Sequence, residues 1–159
     1  MDVEIRAFAA GDRDAVVALW QACGLVVPWN DPGRDIARKQ AVQSDLFLVA
    51  HVGEGLVGTA MAGYDGHRGW VYYLAVDPSA RQRGIGALLM QRAEQGLRRL
   101  GCPKINVQIR RSNLGAARFY DSIGFVEDDV VSMGKRLEPD DSGSAAAPPV
   151  AAAQADDEA

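Results

Sequence analysis

Cysteine is nearly absent: Cys23 and Cys102 are the only two in 159 residues. That number excludes a disulfide framework, and their separation lacks the paired spacing of a zinc site, so both read as reduced, packed thiols and no metal is expected. A basic leader and a long apolar run are also missing. The chain opens with Asp2 and Glu4, and no segment approaches the ~20 apolar residues of a membrane span, so the expectation is a cytoplasmic protein with no membrane partner. There is no internal repeat. Past Leu137 there is no basic residue, only six acidic ones. What is present is a hydrophobic content of 48%, which at this length suits one compact domain with a real core.

The formal charge of −4 conceals a division. Up to Leu137 the chain carries 17 basic and 15 acidic side chains, a balance of +2. From Arg81 to Arg118, nine Lys or Arg residues stand against Glu94 alone, a local excess suited to a phosphate-rich partner. Nucleic acid would match the same sign, but the whole chain is acidic and carries no nucleic-acid motif, so none is expected. Arg92, Arg98 and Arg99 also read as solvated helix faces. From residue 138 onward the Asp, Ser, Ala and Pro composition cannot bury enough apolar surface to offset its ordering entropy. Residues 1–137 therefore read as the folded domain and 138–159 as a disordered acidic tail.

Local patterning sets out the domain. Residues 3–8 alternate like a strand, and 12–22 place Ala15, Val16, Leu19 and Trp20 at helical spacing. A loop at 24–33 with Pro28 and Pro32 precedes a weakly helical 34–43. Strands at 46–52 and 56–64 flank Gly53, Glu54 and Gly55, which is hairpin spacing. A turn at 65–69 leads into a strand at 70–76, a helix at about 84–100, a strand at 104–110, a helix at 113–122 and a closing strand pair at 125–127 and 130–137.

The most informative stretch joins the strand at 70–76 to the helix that follows. It reads Arg81, Gln82, Arg83, Gly84, Ile85, Gly86, and two glycines before a helix allow close backbone approach while the first turn offers free N–H donors and partial positive charge. An ordinary strand-to-helix connection would use the same residues, because a spaced glycine pair alone is weak. Asn113 and Tyr120 add to it. Seven residues apart on one helix, they face the same way.

Together these residues resemble the GNAT superfamily of N-acetyltransferases, whose cofactor signature is met by Arg81, Gly84 and Gly86. Asn113, Ala116, Phe119, Tyr120, Gly124 and Phe125 follow the later family pattern, and the resemblance spans residues 3–137. More narrowly, the runs 28–32, 63–69, 101–105 and 134–137 resemble the small bacterial YpeA acetyltransferases. The resemblance implies an α/β (α+β) fold: a mixed, mostly antiparallel central sheet of about seven strands flanked by about four helices. It also implies acetyl-CoA as acyl donor and a primary amine, on a small molecule or a peptide, as acceptor.

The resemblance assigns the pyrophosphate to Arg81, Gln82, Arg83, Gly84, Ile85 and Gly86, and the pantetheine arm to the backbone of Leu74, Ala75 and Val76. Asn113 is implied as a further cofactor contact, although asparagine is equally suited to cap a helix. Tyr120 is implied as general acid, since a phenol is protonated near neutral pH and can hydrogen-bond the leaving sulfur. The base is open. Where related ribosomal-protein acetyltransferases carry a glutamate, this chain has Gln108, which cannot accept a proton. Asp65, His67, Tyr72 and Tyr73 could act directly or through water, with Asp65 and His67 the candidate bases. Alternatively no dedicated base is needed, because a low-pKa α-amine is already partly neutral. His51, on an apolar strand, reads as packing. Acceptor specificity is expected from the first helix, the loop at 24–33 and the turn at 65–69. There Trp29, Asn30, Asp31, Asp65, His67 and Arg68 could read a ligand or simply build turns. A direct attack in a ternary complex is expected, because neither cysteine carries a sequence cue for activation. The competing reading is a noncatalytic acyl-CoA-binding sensor or partner module. A homodimer is compatible with the sequence.

Overall fold

In a computed structural model of the chain, which describes residues 2–140, the expected mixed sheet is built from five strands. Strand β1, Val3–Ala7, pairs antiparallel with β2, Phe47–Val52, and β2 with β3, Gly55–Tyr64, across the tight turn at Gly53. Strand β4, Gly69–Val76, continues antiparallel, and β5, Ile105–Asn106, joins it in parallel to complete the order β1-β2-β3-β4-β5. Four α-helices cover the sheet: α1 at Arg13–Ala22, α2 at Pro32–Gln40, α3 at Ile85–Arg99 and α4 at Leu114–Ser122.

Alternation along the strands sends side chains to two cores. Leu48, Ala50, Ala60, Ala62 and Val71 pack with Ile85, Leu89, Met90, Ala93 and Leu97 of α3 and with Tyr120 of α4. Phe47, Val49, Met61, Tyr73 and Ala75 pack on the other side with Val16, Leu19 and Trp20 of α1 and Ile36 of α2. Gly58 lets α3 sit close to the sheet: a Cβ there would lie 3.0 Å from Leu89 Cδ1 and 3.2 Å from the Ala75 carbonyl oxygen.

One irregularity matters for function. Val71 and Tyr73 are two residues apart, so a regular strand would point both the same way, yet they belong to opposite cores. Tyr73 has φ +51°, and the pairing steps from Thr59↔Ala75 to Met61↔Tyr72, which puts an extra residue into β4. This is a β-bulge. As a result the side chains of Tyr72 and Tyr73 both pack on the α1–α2 side.

Two sequence expectations change. The strand expected over 104–110 is a two-residue pairing, and the closing strands expected at 125–127 and 130–137 do not form among the described residues. Alternation yields a strand only where a partner edge and a covering layer exist. Here the C-terminal segment meets residues 104–108 through side chains instead: Lys104 and Asn106 donate to Asp128, and Gln108 Nε2 donates to Ser132 Oγ. Val126, Val130, Val131, Met133 and Leu137 are left exposed. The tail expected from residue 138 begins with an ordered contact, because Arg38 Nη1 and Nη2 donate to Asp140 at 3.0 and 2.5 Å. Residues 141–159 lie outside the described part.

A buried carboxylate ties β1 to α1. Arg6 donates twice to Asp12, at 2.7 and 2.9 Å, and the Ala9 amide donates to it at 2.9 Å. The Arg6 hydrogen bonds hold the Asp12 carboxyl below its usual range against the opposing effect of burial. A depressed folded pKa contributes stability above the unfolded value near 3.9, and that contribution is lost as pH falls through the folded value. Asp12→Asn is therefore expected to cost about 1–2 kcal/mol at pH 7 and progressively less below about pH 4. Thermal melts of both proteins across pH 3–7 check this; a constant gap at every pH would contradict it.

Candidate active site

Strand β4 and the N-terminus of α3 form one wall. Ala75 and Val76 pair with Thr59 and Gly58 of β3, but on the other side the pairing with β5 ends at Trp70↔Asn106. No strand among the described residues pairs with that edge along Leu74, Ala75 and Val76. A main-chain edge of this kind suits an extended ligand added as a strand. Asp77 then closes a short turn by accepting from the Ser79 amide at 2.9 Å, and Arg81 Nε donates back to the Val76 carbonyl at 3.0 Å.

The chain enters α3 through two left-handed residues, Gln82 at φ +67° and Gly84 at φ +78°. Gly84 is the N-cap and supplies no side-chain acceptor, while its carbonyl takes the first helical hydrogen bond, from Leu88. The amides of Ile85, Gly86 and Ala87 consequently emerge at the helix end with the positive pole of its dipole behind them. Arg81, Gln82 and Arg83 are exposed around it. The donor set is what a diphosphate requires.

Helix α4 brings the second motif to the same side of the sheet as α3. Asn113 is its N-cap, and Oδ1 accepts from the Ala116 amide at 3.0 Å. Its carboxamide oxygen thus does the capping, while its NH₂ group is the donor a ligand would meet. Tyr120 is 1% exposed and packs edge-on to Phe119 and Phe125 at 5.1 and 5.2 Å. Cys23, half-buried, donates to the Val76 carbonyl at 3.4 Å, and burial raises its thiol pKa in spite of Arg81 beside it. A thiol kept protonated is a poor nucleophile.

On the α1–α2 side a cavity of about 450 Å³ opens between α2, β3 and the bulge of β4. Tyr72 and Tyr73 reach it from β4, Asp35 and Lys39 from α2, and Asn30 and Arg136 from the flanking segments. Asp31 caps α2 by accepting from the Gly33 and Arg34 amides, and Asn30 Oδ1 accepts from Arg136 Nη2 at 2.7 Å. Of the six loop and turn residues with two open readings, Asp31 is thus a capping residue and Asn30 lines the cavity. The Tyr73 hydroxyl donates to Asp35 Oδ2 at 2.6 Å. Burial lifts the Asp35 carboxyl above its usual range, while hydrogen bonds from Tyr73 and Arg38 hold it back.

Asp65 and His67 sit elsewhere. They occupy the exposed turn between β3 and β4, where Asp65 Oδ1 accepts from the amides of His67 and Arg68, both at 2.8 Å. Those bonds hold the Asp65 carboxyl below the usual range, which makes it a weaker base, and neither residue lines the cavity. Sequence reasoning passed over Asp35 and Lys39. Their i, i+4 spacing beside the apolar Ile36 was the available signal, because it sets both on one helix face. Among the described residues no group of three or more His, Cys, Asp or Glu side chains is placed to hold a metal ion, and no helix is long and apolar enough to cross a membrane.

A mixed α/β sheet that leaves the end of β4 unpaired beside a helix start with no side-chain cap has room for an extended anionic ligand. The chain belongs to the acetyltransferase (GNAT) family, whose profile matches residues 13–125. An acetyltransferase of Pectobacterium atrosepticum is 47% identical over 135 residues, covering 85% of this chain and 96% of that one. The fold is shared with Ard1 from Thermoplasma volcanium, at TM-score 0.73 and 24% identity over 84% of this chain and 86% of that chain. It is shared as well with AAC(6')-Iy, solved with the bisubstrate analogue CoA-S-monomethyl-acetylneamine, at TM-score 0.69 and 20% identity over 86% and 100% of the two chains. The protein is accordingly an acyltransferase.

Proposed function

We propose that the protein transfers an acetyl group from acetyl-CoA to a primary amine by direct attack within a ternary complex. The observation that carries this reading is the convergence of the uncovered β4 edge with the uncapped start of α3. The pantetheine arm pairs with the main chain of Leu74, Ala75 and Val76, and the pyrophosphate takes the amides at Gly84, Ile85 and Gly86, with Arg81 and Arg83 screening its charge and Gln82 offering a neutral donor. The Asn113 carboxamide adds a donor. Tyr120 supplies the proton for the departing thiolate. Cys23 is half-buried with its thiol pKa raised, which disfavours a thiolate nucleophile and supports direct attack.

Calorimetry with acetyl-CoA, paired with a thioester-turnover assay over peptide, polyamine, aminoglycoside and small-metabolite amines, tests the proposal. Binding with multiple turnovers is expected; binding without turnover on any amine would leave a sensor module in its place. Gly84→Ala isolates the cradle, since a Cβ there meets nothing within 4 Å and only the positive φ is strained. About 1 kcal/mol of backbone strain is expected to weaken acetyl-CoA binding roughly fivefold or more. Unaltered affinity in that variant would remove the pyrophosphate from this loop.

A further inference from the structure

We propose that Tyr73 and Asp35 form the proton relay that activates the acceptor amine, and that the cavity they line between α2 and β4 is the acceptor pocket. The inference rests on the acyltransfer reading above and fills the role that Gln108 cannot.

Three independent features converge on the pair. The first is contact: the Tyr73 hydroxyl donates to Asp35 Oδ2 at 2.6 Å, a short bond of the charge-assisted kind. The second is backbone. Tyr73 is held at φ +51° in the middle of a strand, a conformation costly for a bulky residue and concentrated at functional sites, and without that bulge its ring would turn to the opposite face. The third is support. The Tyr73 ring stacks on Trp20 at 3.8 Å, Trp20 Nε1 donates to Thr59 Oγ1, and that hydroxyl donates to the Tyr73 carbonyl at 2.8 Å. Side chain and main chain of one tyrosine are thus both fixed from α1 and β3. A purely structural tyrosine would need neither a strained backbone nor a carboxylate partner on the wall of a 450 Å³ cavity.

Position completes the case. Tyr73 directly precedes Leu74–Ala75–Val76, the main chain proposed to carry the acyl donor, so acceptor and donor meet on consecutive residues of one strand. The charged groups facing Asp35 are Arg38, at 3.3 Å from Oδ1, with Asp140 behind it, and Lys39 and Arg136 on the cavity wall. Arg38 is shared with Asp140, and the Lys39 amine donates to the Ala62 carbonyl. Burial raises the Asp35 carboxyl above its ordinary value, the direction that favours proton uptake.

The chemistry balances as follows. An acceptor arriving as ammonium gives one proton to the Tyr73 oxygen while the Tyr73 proton passes to Asp35 Oδ2. The neutral nitrogen then attacks the thioester carbonyl, the N–C bond forms, and the C–S bond breaks with its electron pair going to sulfur. Tyr120 gives its proton to the departing sulfur, and the second proton lost from nitrogen restores the Tyr120 hydroxyl. Asp35 finally releases its proton to solvent.

The experiment measures kcat/KM against pH for wild type, Asp35→Asn, Asp35→Glu and Tyr73→Phe, with acetyl-CoA and the amine from the panel that wild type acetylates fastest, alongside acetyl-CoA calorimetry. Asp35→Asn and Tyr73→Phe are each expected to lose about 100-fold or more in kcat/KM with acetyl-CoA affinity held within about twofold. Wild type should show an acidic limb that Asp35→Asn lacks. In that variant the rate should climb with pH in proportion to the neutral amine, and Asp35→Glu should recover part of the loss. Asp35→Asn and Tyr73→Phe both within threefold of wild type, with the acidic limb intact, would overturn the relay. If Asp35→Asn does not fold, Tyr73→Phe, which keeps the ring against Trp20, decides alone by the same threshold. Wild type that binds acetyl-CoA but acetylates no amine overturns the parent reading and the relay together, whereas loss confined to the variants bears on the relay.

Discussion

Tyr120→Phe is expected to lower kcat by about 100-fold while leaving acetyl-CoA affinity unchanged. The deleted group is one hydroxyl, and a positioned general acid typically contributes 10²–10⁴-fold. Packing should survive, because the ring's edge contacts with Phe119 and Phe125 do not involve the hydroxyl. A thioester whose thiol is more acidic needs less help in departure, so the defect should shrink with such a donor. Steady-state kinetics with acetyl-CoA and an activated acetyl thioester make the comparison. Equal kcat in wild type and variant would remove Tyr120 from the chemistry and leave it a core residue.

Trp20→Ala should produce the largest loss of stability. The side chain has no exposure, stacks on Tyr73, lies 6.2 Å from Phe47 and gives its indole N–H to Thr59. Truncation removes that buried area, opens a cavity and leaves Thr59 without its donor, which together predict roughly 3–5 kcal/mol. For a domain of this size that corresponds to a fall of about 10–15 °C in Tm. Trp20→Phe keeps an aromatic face and loses only the indole hydrogen bond and some area, so about 1–2 kcal/mol is expected. Calorimetric melts check both. A drop below 1 kcal/mol for the alanine variant would mean that the α1 core is far looser than its packing indicates.

The parts legible from sequence were those whose cause is local. Leu89, Ala93 and Leu97 spell out α3 by helical spacing, Gly53 sets the β2–β3 hairpin, and the glycines at 84 and 86 locate the turn into the helix. The pairing of Asp35 with Tyr73 was not legible, because it joins residues 38 apart through a cavity that only tertiary packing creates. The bulge was hidden for a related reason. Residues 70–76 read as an unbroken apolar strand, and only register against β3 shows that one residue is surplus. The C-terminal apolar pattern misled in the opposite direction: residues 126–137 have strand composition but no strand neighbour among the described residues. About seven strands were expected from family resemblance, and five are present among the described residues.

The extra residue in β4 also has an evolutionary implication. On the proposed reading, donor recognition there draws on peptide groups that every amino acid possesses, whereas acceptor recognition draws on phenol rings and on whatever α2 presents opposite them. Mutational drift in the helix can therefore change which metabolite or peptide is modified without disturbing the shared currency of acyl groups, and exchanging residues 24–43 between relatives should transplant selectivity as a portable cassette.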